Sequence, residues 1–353
     1  MIEKEREIII AAIIGYGLSG RVFHAPFLDM MEEFKLRSIV QRHGSSSIEH
    51  YPDALVVRDY RELLKDEALD LIIICTPNTT HFQMAKACLE SGKHVVIDKP
   101  FVTTSKEADT LIRLSKETGK KIFIYQNRRW DGDFQTIRTL LAENILGDIL
   151  EYEAHFDRYR PQVPQGKWRE EDRPGGGLVY DLGSHLIDQA LVLFGMPDAI
   201  AADIREQRSN SKVDDYFNIK LFYPAHTAVL KAGMFARNAG PRYKIHGRQA
   251  SYIKYGLDPQ EMALKSGVKP LGEKWGHEDE EDWGDLIYEE EERLVNRKLE
   301  TIPGAYQDFY RNVHDVLVQG KDQMVKPEEA ANVISLIELA FESSAAKEIR
   351  KIR

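Results

Sequence analysis

Residues 8–14, an unbroken apolar run rich in β-branched side chains, lead directly into Gly15-Tyr16-Gly17-Leu18-Ser19-Gly20. No other junction restricts the fold of the chain as much. A short run of this composition predicts a strand buried on both faces of a parallel sheet. Three glycines at this spacing, after a strand and before a helix, predict the turn that receives a dinucleotide. The first glycine makes the turn, the second lets a pyrophosphate approach the backbone, and the third lets helix and strand pack. The phosphates would rest on unpaired N–H groups at the helix N-terminus. Gly15, Gly17, Leu18, Ser19 and Gly20 are therefore expected to bind cofactor, and Pro26 is expected to shorten or kink the helix that follows.

The first third continues as alternating strands and helices. Residues 36–41 read as the second strand. A carboxylate at its end would suit the free ribose 2′-hydroxyl of NAD, but the chain reads Gln41-Arg42-His43-Gly44-Ser45-Ser46-Ser47. A basic side chain followed by hydroxyls suits a 2′-phosphate, so Arg42 predicts NADP, with NAD as the alternative. Strands are expected at 55–57, 71–75, 94–97 and 122–125, with helices at 60–65, from Asn78 or Thr79 to 90, and from Thr104 or Ser105 to 116. This is the doubly wound pattern, whose ligands lie at the C-terminal ends of the strands. Two further segments leave such ends: Thr76-Pro77-Asn78 and Asp98-Lys99-Pro100.

At 353 residues, two domains are expected: 1–125 for the dinucleotide and 126–353 for substrate and oligomer contacts, with the final helices packing back on the first. The formal charge of −9 argues against a nucleic-acid or anionic-membrane surface, since phosphates need a basic patch. The two cysteines, Cys75 and Cys88, lack metal-ligand spacing and read as buried small apolar residues, which suits a reducing cytoplasm. The charged start, Met1-Ile2-Glu3-Lys4-Glu5-Arg6-Glu7, and the short apolar run after it predict neither a signal peptide nor an anchor.

After residue 125 the pattern changes. A helix at 134–143 and a strand at 149–157 precede residues 158–174, a charged, Pro- and Gly-containing loop expected to cross the site, with Trp168 and Arg169 as ligand contacts. Then comes Gly175-Gly176-Gly177-Leu178-Val179-Tyr180-Asp181-Leu182-Gly183-Ser184-His185. The glycines would let a flat ligand come close. Apolar residues at 178, 182, 186, 187, 190, 191 and 193 predict a helix, with Asp181, His185 and Asp188 on one face. An imidazole titrates near neutrality and can exchange a proton with a hydroxyl, and a carboxylate one turn away can orient it or share the substrate. Strands at 217–222, 229–235, 243–245 and 251–254 follow without helices between them and predict an antiparallel sheet. One face of it would pack on helices, and the other is available to a homo-oligomer. Tyr243, Tyr252 and Tyr255 are either core or within reach of substrate. Residues 273–292 read as an acidic surface excursion, without a metal site. Helices are expected at 306–319 and 327–349.

With these segments in place, the chain resembles the Gfo/Idh/MocA family of nicotinamide-dependent oxidoreductases. The resemblance rests on the glycine turn, on Asp98-Lys99-Pro100 in place of a Glu-Lys-Pro signature, and on the Asp181 and His185 pair. Further stretches resemble its NADP-dependent scyllo-inositol dehydrogenase branch: Asn127-Arg128-Arg129-Trp130-Asp131, Arg158-Tyr159-Arg160-Pro161, Trp168-Arg169-Glu170 and Tyr255-Gly256-Leu257-Asp258-Pro259-Gln260-Glu261. The resemblance implies an α/β protein: a Rossmann domain followed by an α+β domain with a largely antiparallel open sheet. It implies Lys99 on the substrate oxygen and the nicotinamide ribose, His185 as acid–base residue, and Asp181 binding substrate or orienting His185. It places Thr76, Pro77, Asn78 and His81 along the cofactor. Asp98, Asn127, Trp168 and Arg169 complete the expected cofactor-binding set, and Asp98 is one methylene shorter than the family's glutamate. The expected substrate is a polyol, cyclitol or sugar hydroxyl lying between Lys99 and His185. The rival reading is a non-catalytic NADP(H)-binding sensor, which needs the glycine turn but not Lys99, Asp181 and His185 together.

Overall fold

The computed structural model describes residues 8–166 and 168–352; the charged start, residues 1–7, lies outside the described residues. The chain divides into two compact units. One comprises residues 1–127, 260–273 and 306–331, and the other residues 128–259, 274–305 and 332–353.

The first unit is built on six parallel strands: β1 (Ile9–Ile14), β2 (Phe34–Val40), β3 (Leu55–Val57), β4 (Leu71–Ile74), β5 (His94–Ile97) and β6 (Ile122–Ile124). They lie in the order β3-β2-β1-β4-β5-β6, the doubly wound arrangement expected. β1 and β4 are central, and their apolar side chains are buried on both faces, which is why neither alternates in sequence. The helix Ser105–Thr118 starts at Thr104, whose hydroxyl accepts from the Glu107 N–H at 3.2 Å, and stops at Gly119 with φ 69°. Pro26 sits in the first turn of the short helix Ala25–Met30, which a π-helical turn, Gly20–His24, precedes. Two later segments, Gln260–Lys265 and Gln307–Gln319, belong to this unit. The latter brings Tyr310 into an aromatic cluster with Phe27, Phe34, Tyr125 and Phe309, and its hydroxyl lies 2.6 Å from Nδ1 of buried His24.

The second unit holds nine further strands: β7 (Ile149–Asp157), β8 (Ala199–Arg205), β9 (Tyr216–Phe222), β10 (Thr227–Gly233), β11 (Tyr243–Gly247), β12 (Ala250–Lys254), β13 (Gly284–Glu290), β14 (Arg293–Leu299) and β15 (Arg350–Lys351). Their order is β14-β13-β12-β11-β7-β10-β9-β8-β15, and among the described residues only the β7–β10 pairing is parallel. Alternate residues such as Tyr152, Ala154, Phe156, Phe217, Ile219, Leu221, Ala228 and Leu230 form one buried face. Leu186, Ile187 and Ala190 of the helix Ser184–Phe194 are equally buried. Tyr243 and Tyr252 are wholly buried core residues, while Tyr255 is exposed.

The acidic stretch 273–292 is not wholly a surface excursion. Glu278 is buried and pairs with the buried Lys254 amine at 3.1 Å. Residues from 284 onward form the β13–β14 hairpin, whose two-residue turn places Glu291 and Glu292 at φ 49° and 62°. Such turns favour Asn-Gly or Asp-Gly, so a Glu-Glu pair gives no turn signal in the sequence.

Burial lowers the His24 pKa to about 4. An unfolded chain would bind that proton near pH 6.5, so between these values the unfolded state holds a proton the folded state lacks. Stability should therefore fall as the pH drops from about 6.5 towards 4, by about 3 kcal/mol from this residue at the lower limit. Denaturant unfolding across that range should show the slope, and His24→Asn should flatten it.

Candidate active site

The three glycines of the turn meet three different surroundings. Gly15 has φ 101°, and a Cβ there would lie 2.8 Å from the Cys75 carbonyl oxygen. A Cβ at Gly20 would lie 2.1 Å from the Gly15 carbonyl oxygen. A Cβ at Gly17 would meet nothing within 4 Å. Two glycines thus close the backbone on itself, while the middle one opens onto space that a phosphate can enter, which is the fit a dinucleotide requires. Leu18 is exposed and Ser19 half-buried at the start of the π-helical turn. The neighbouring Cys75 thiol is pushed up by burial, so it is no reactive nucleophile.

At the end of β2, Gln41 turns inward and accepts from the Ser47 N–H at 3.1 Å. Arg42 and the hydroxyl residues Ser45 and Ser46 are exposed. The sequence reading missed Arg58, whose guanidinium donates to the Gln41 carbonyl at 2.8 Å and to the Gly44 carbonyl. Arg58 directly follows β3, the neighbouring strand, and that placement was the available signal. Arg42 and Arg58 thus both belong to this strand end, with Arg58 holding the loop's shape.

At the end of β4, the Thr76 and Thr80 hydroxyls lie 2.6 Å apart, and Pro77 leads into the 3₁₀ turn Asn78–Thr80 with Asn78 buried. His81 is fully buried, its Nε2 lying 2.9 Å from the Thr76 carbonyl and its Nδ1 3.0 Å from the Pro100 carbonyl. It braces the two loops that leave β4 and β5, a job that leaves neither ring nitrogen aimed outward. At the end of β5, the Asp98 carboxylate accepts from the Lys99 N–H at 2.8 Å, and Asp98 and Lys99 are both half-buried. Asn127, buried, opens the turn Asn127–Trp130 beyond β6.

In the second unit, Asp181 lies in a π-helical turn, Val179–Gly183, and His185 lies in the first turn of the helix that continues from it. Asp181 is half-buried and His185 is 4% exposed. The expected helix is present, but it opens with this widened turn, a distortion frequent at functional sites. Arg169 brings its Nε to 3.3 Å from Asp181 and stacks over the Trp168 ring at 4.4 Å. Trp168 and Arg169, expected among the cofactor contacts, are thereby attached to the segment that carries the acid–imidazole pair. Asp188 is buried and takes a two-pronged ion pair from Arg129, at 2.8 and 2.7 Å. The next residue, Gln189, accepts from Tyr243 and Arg242 and donates to the Arg128 carbonyl. Gly176 and Gly177 do not offer the expected opening: a Cβ on Gly177 would lie 2.0 Å from an Asp214 carboxylate oxygen, and one on Gly176 2.9 Å from the Glu171 carbonyl. At these two glycines the room a side chain would need is taken by protein atoms. Asp214 in turn accepts from the Val179 N–H at 2.7 Å, and burial pushes its carboxyl up to about 7.

Among the described residues, no group of three or more histidine, cysteine or acidic side chains is arranged to hold a metal, and no helix is long and apolar enough to cross a membrane.

Comparison with known proteins identifies the family. Residues 9–126 match the model of an oxidoreductase family's NAD-binding Rossmann fold, and residues 138–352 match its C-terminal alpha/beta domain. The chain is 43% identical to scyllo-inositol 2-dehydrogenase (NADP(+)) IolW of Bacillus subtilis, over 98% of this chain and 96% of that one. It is 42% identical to the uncharacterized oxidoreductase YdgJ of Escherichia coli, over 95% and 96%. The solved structure of the yvaA protein of Bacillus subtilis superposes with a TM-score of 0.95 at 40% identity, covering 99% of this chain and 100% of that one. The chain belongs to the Gfo/Idh/MocA family of oxidoreductases.

Proposed function

We propose that this dehydrogenase, which acts on CH–OH groups, transfers hydride between NADP(H) and a secondary alcohol of a polyol, a cyclitol of the scyllo-inositol kind, or a sugar. The pair Asp181 and His185, presented together from one rigidly held helix start, carries the reading. A pure cofactor sensor has no use for that pair. The substrate class is supported by the 43% identity to a scyllo-inositol 2-dehydrogenase over nearly the whole chain. Residues 1–125 form the cofactor domain on this reading and residues 126–353 the substrate domain, the half-exposed face of whose sheet makes the contacts of a homo-oligomer.

Gly15, Gly17, Leu18, Ser19 and Gly20 hold the pyrophosphate, and Arg42 with Arg58 receives the 2′-phosphate. Thr76, Pro77, Asn78, Asp98 and Asn127 bound the rest of the cofactor, with His81 keeping two of those loops in place. A bound nicotinamide supplies the capacity to accept or donate hydride. In the oxidising direction, His185 takes the hydroxyl proton while the C–H bond of the same carbon gives up its electron pair, leaving a carbonyl. The Lys99 ammonium stabilises the negative charge that develops on the oxygen. Asp181 orients the substrate, and Arg169 with Trp168 bounds it on the same side.

Replacing His185 with Ala should lower kcat by roughly 10²–10⁴-fold. NADP(H) affinity, followed by nicotinamide fluorescence, should change less than about threefold, since the lost interaction belongs to the chemical step. Equal losses in turnover and in cofactor affinity would count against the assignment.

Arg42→Ala should weaken NADP(H) binding by about 10- to 100-fold, the worth of a charge-assisted hydrogen bond, and leave NAD(H) binding unchanged. Titrating both nucleotides against both proteins decides it, and a wild-type preference for NAD(H) would overturn the cofactor reading.

A further inference from the structure

Two consecutive acids, Asp214 and Asp215, stand immediately before β9, and each holds a different part of the substrate domain. The Asp214 carbonyl accepts from the Leu178 N–H at 2.9 Å, and its carboxylate accepts from the Val179 N–H at 2.7 Å. Those two amides begin the helical segment that carries Asp181 and His185. The adjoining Gly177, at φ 84°, lets the carboxylate come this close, because no Cβ occupies its place.

Asp215, which is fully buried, faces the other way. It accepts from the Gln207 N–H at 2.6 Å, from the Arg208 N–H at 3.0 Å and from the Arg208 Nε at 2.8 Å. The rest of the buried Arg208 fork reaches the loop before the glycines: Nη2 lies 2.7 Å from Glu170, and Nη1 lies 3.4 Å from the Gln162 carbonyl. Glu170 is the immediate neighbour of Arg169, which pairs with Asp181. The chain of contacts is therefore closed. One acid fixes the start of the helix, and the next, through Arg208, fixes the loop that lies against that helix.

We propose that Asp214 and Asp215 form a single two-armed anchor, and that Arg208 is a positioning residue that sets where Trp168 and Arg169 meet the substrate. The proposal rests on the assignment of Asp181 and His185 to the acid–base chemistry. A guanidinium is needed at position 208 because three acceptors in different directions must be met by one planar fork, which a lysine cannot do. Arg208 touches no reacting atom on this account. Its loss should disturb how substrate is gripped and leave the proton transfer in place, and Asp214 should show the opposite balance.

The test uses the full-length protein with NADP(+) bound, in the variants Arg208→Met, Arg208→Lys and Asp214→Ala. Hydrogen exchange is read at Glu171, whose N–H is held by the Trp168 carbonyl, and at Leu178 and Val179. With Arg208→Met, exchange at Glu171 should speed up by about tenfold or more, while Leu178 and Val179 stay protected. The KM for the polyol should rise about tenfold, with kcat changed less than about threefold, and Arg208→Lys should recover part of the loss. With Asp214→Ala, Val179 should lose protection and kcat should fall.

Should Arg208→Met fail to fold, the double variant Arg208→Met/Asp215→Asn, which removes the stranded buried carboxylate, takes its place with the same readouts. Unchanged exchange at Glu171, equal loss of protection at both places, or a fall in kcat with KM untouched would overturn the proposal. Wild-type protein that turned over no polyol would remove the enzymatic assignment alone, and the exchange pattern would then decide the anchor by itself.

Discussion

The cofactor unit depends on one backbone contact: the approach of residue 20 to the carbonyl of residue 15, where a Cβ would stand only 2.1 Å from the oxygen. That approach lets the chain turn straight from the central strand into a helical turn. It also leaves the strand's C-terminal end open beside Gly17. The other loops gather around that fact. The segments after β4 and β5 leave the C-terminal ends of adjacent strands, and the His81 ring packs between their Thr76 and Pro100 carbonyls. Any side chain larger than hydrogen at residue 20 would force strand and helix apart, and the amides proposed to receive the phosphates would go with them.

The second unit solves a different problem. A helix start must hold an acid and an imidazole in a fixed register, and the chain achieves this with charge. Arg129 clamps Asp188, Gln189 ties to Arg242, Tyr243 and the Arg128 carbonyl, and Asp214 receives the first amides. Buried ion pairs add little net stability, because desolvation offsets most of their attraction. Breaking one side, however, strands a charge at about 3–5 kcal/mol. Such a network penalises every alternative placement of the helix, which is what the proposed acid–base register needs. Apolar packing of Leu186, Ile187 and Ala190 alone would tolerate small slides.

The fold was legible wherever local chemistry and global position agree. The apolar runs of β1 and β4, the glycine turn, the Thr104 cap and the alternation along β7 each carry their own signal. The β13–β14 hairpin was not legible, because Glu291 and Glu292 supply its turn without glycine or asparagine. At the site, the residue types were readable but not what they touch. Nothing local distinguishes His81, which braces two loops from inside, from a ligand-facing histidine. Nothing in Gly175-Gly176-Gly177 says that the room beside Gly176 and Gly177 is taken by Glu171 and Asp214. Arg58 acts on partners 14 and 17 residues away, Arg208 on partners 7, 38 and 46 away, and Asp215 on partners 7 and 8 away. Pairings of that kind follow from the tertiary fold and leave no periodic trace.

The account stands on hydride passing directly between a substrate carbon and the nicotinamide, with only the hydroxyl proton handed to protein. The most direct measurement is to oxidise scyllo-inositol deuterated at every ring carbon with NADP(+) in ordinary water, and to examine the reduced nucleotide by proton NMR. The account predicts one deuterium at nicotinamide C4 for each inosose formed. Ketone product accompanied by protium at that position, or by no reduced nucleotide, would contradict it.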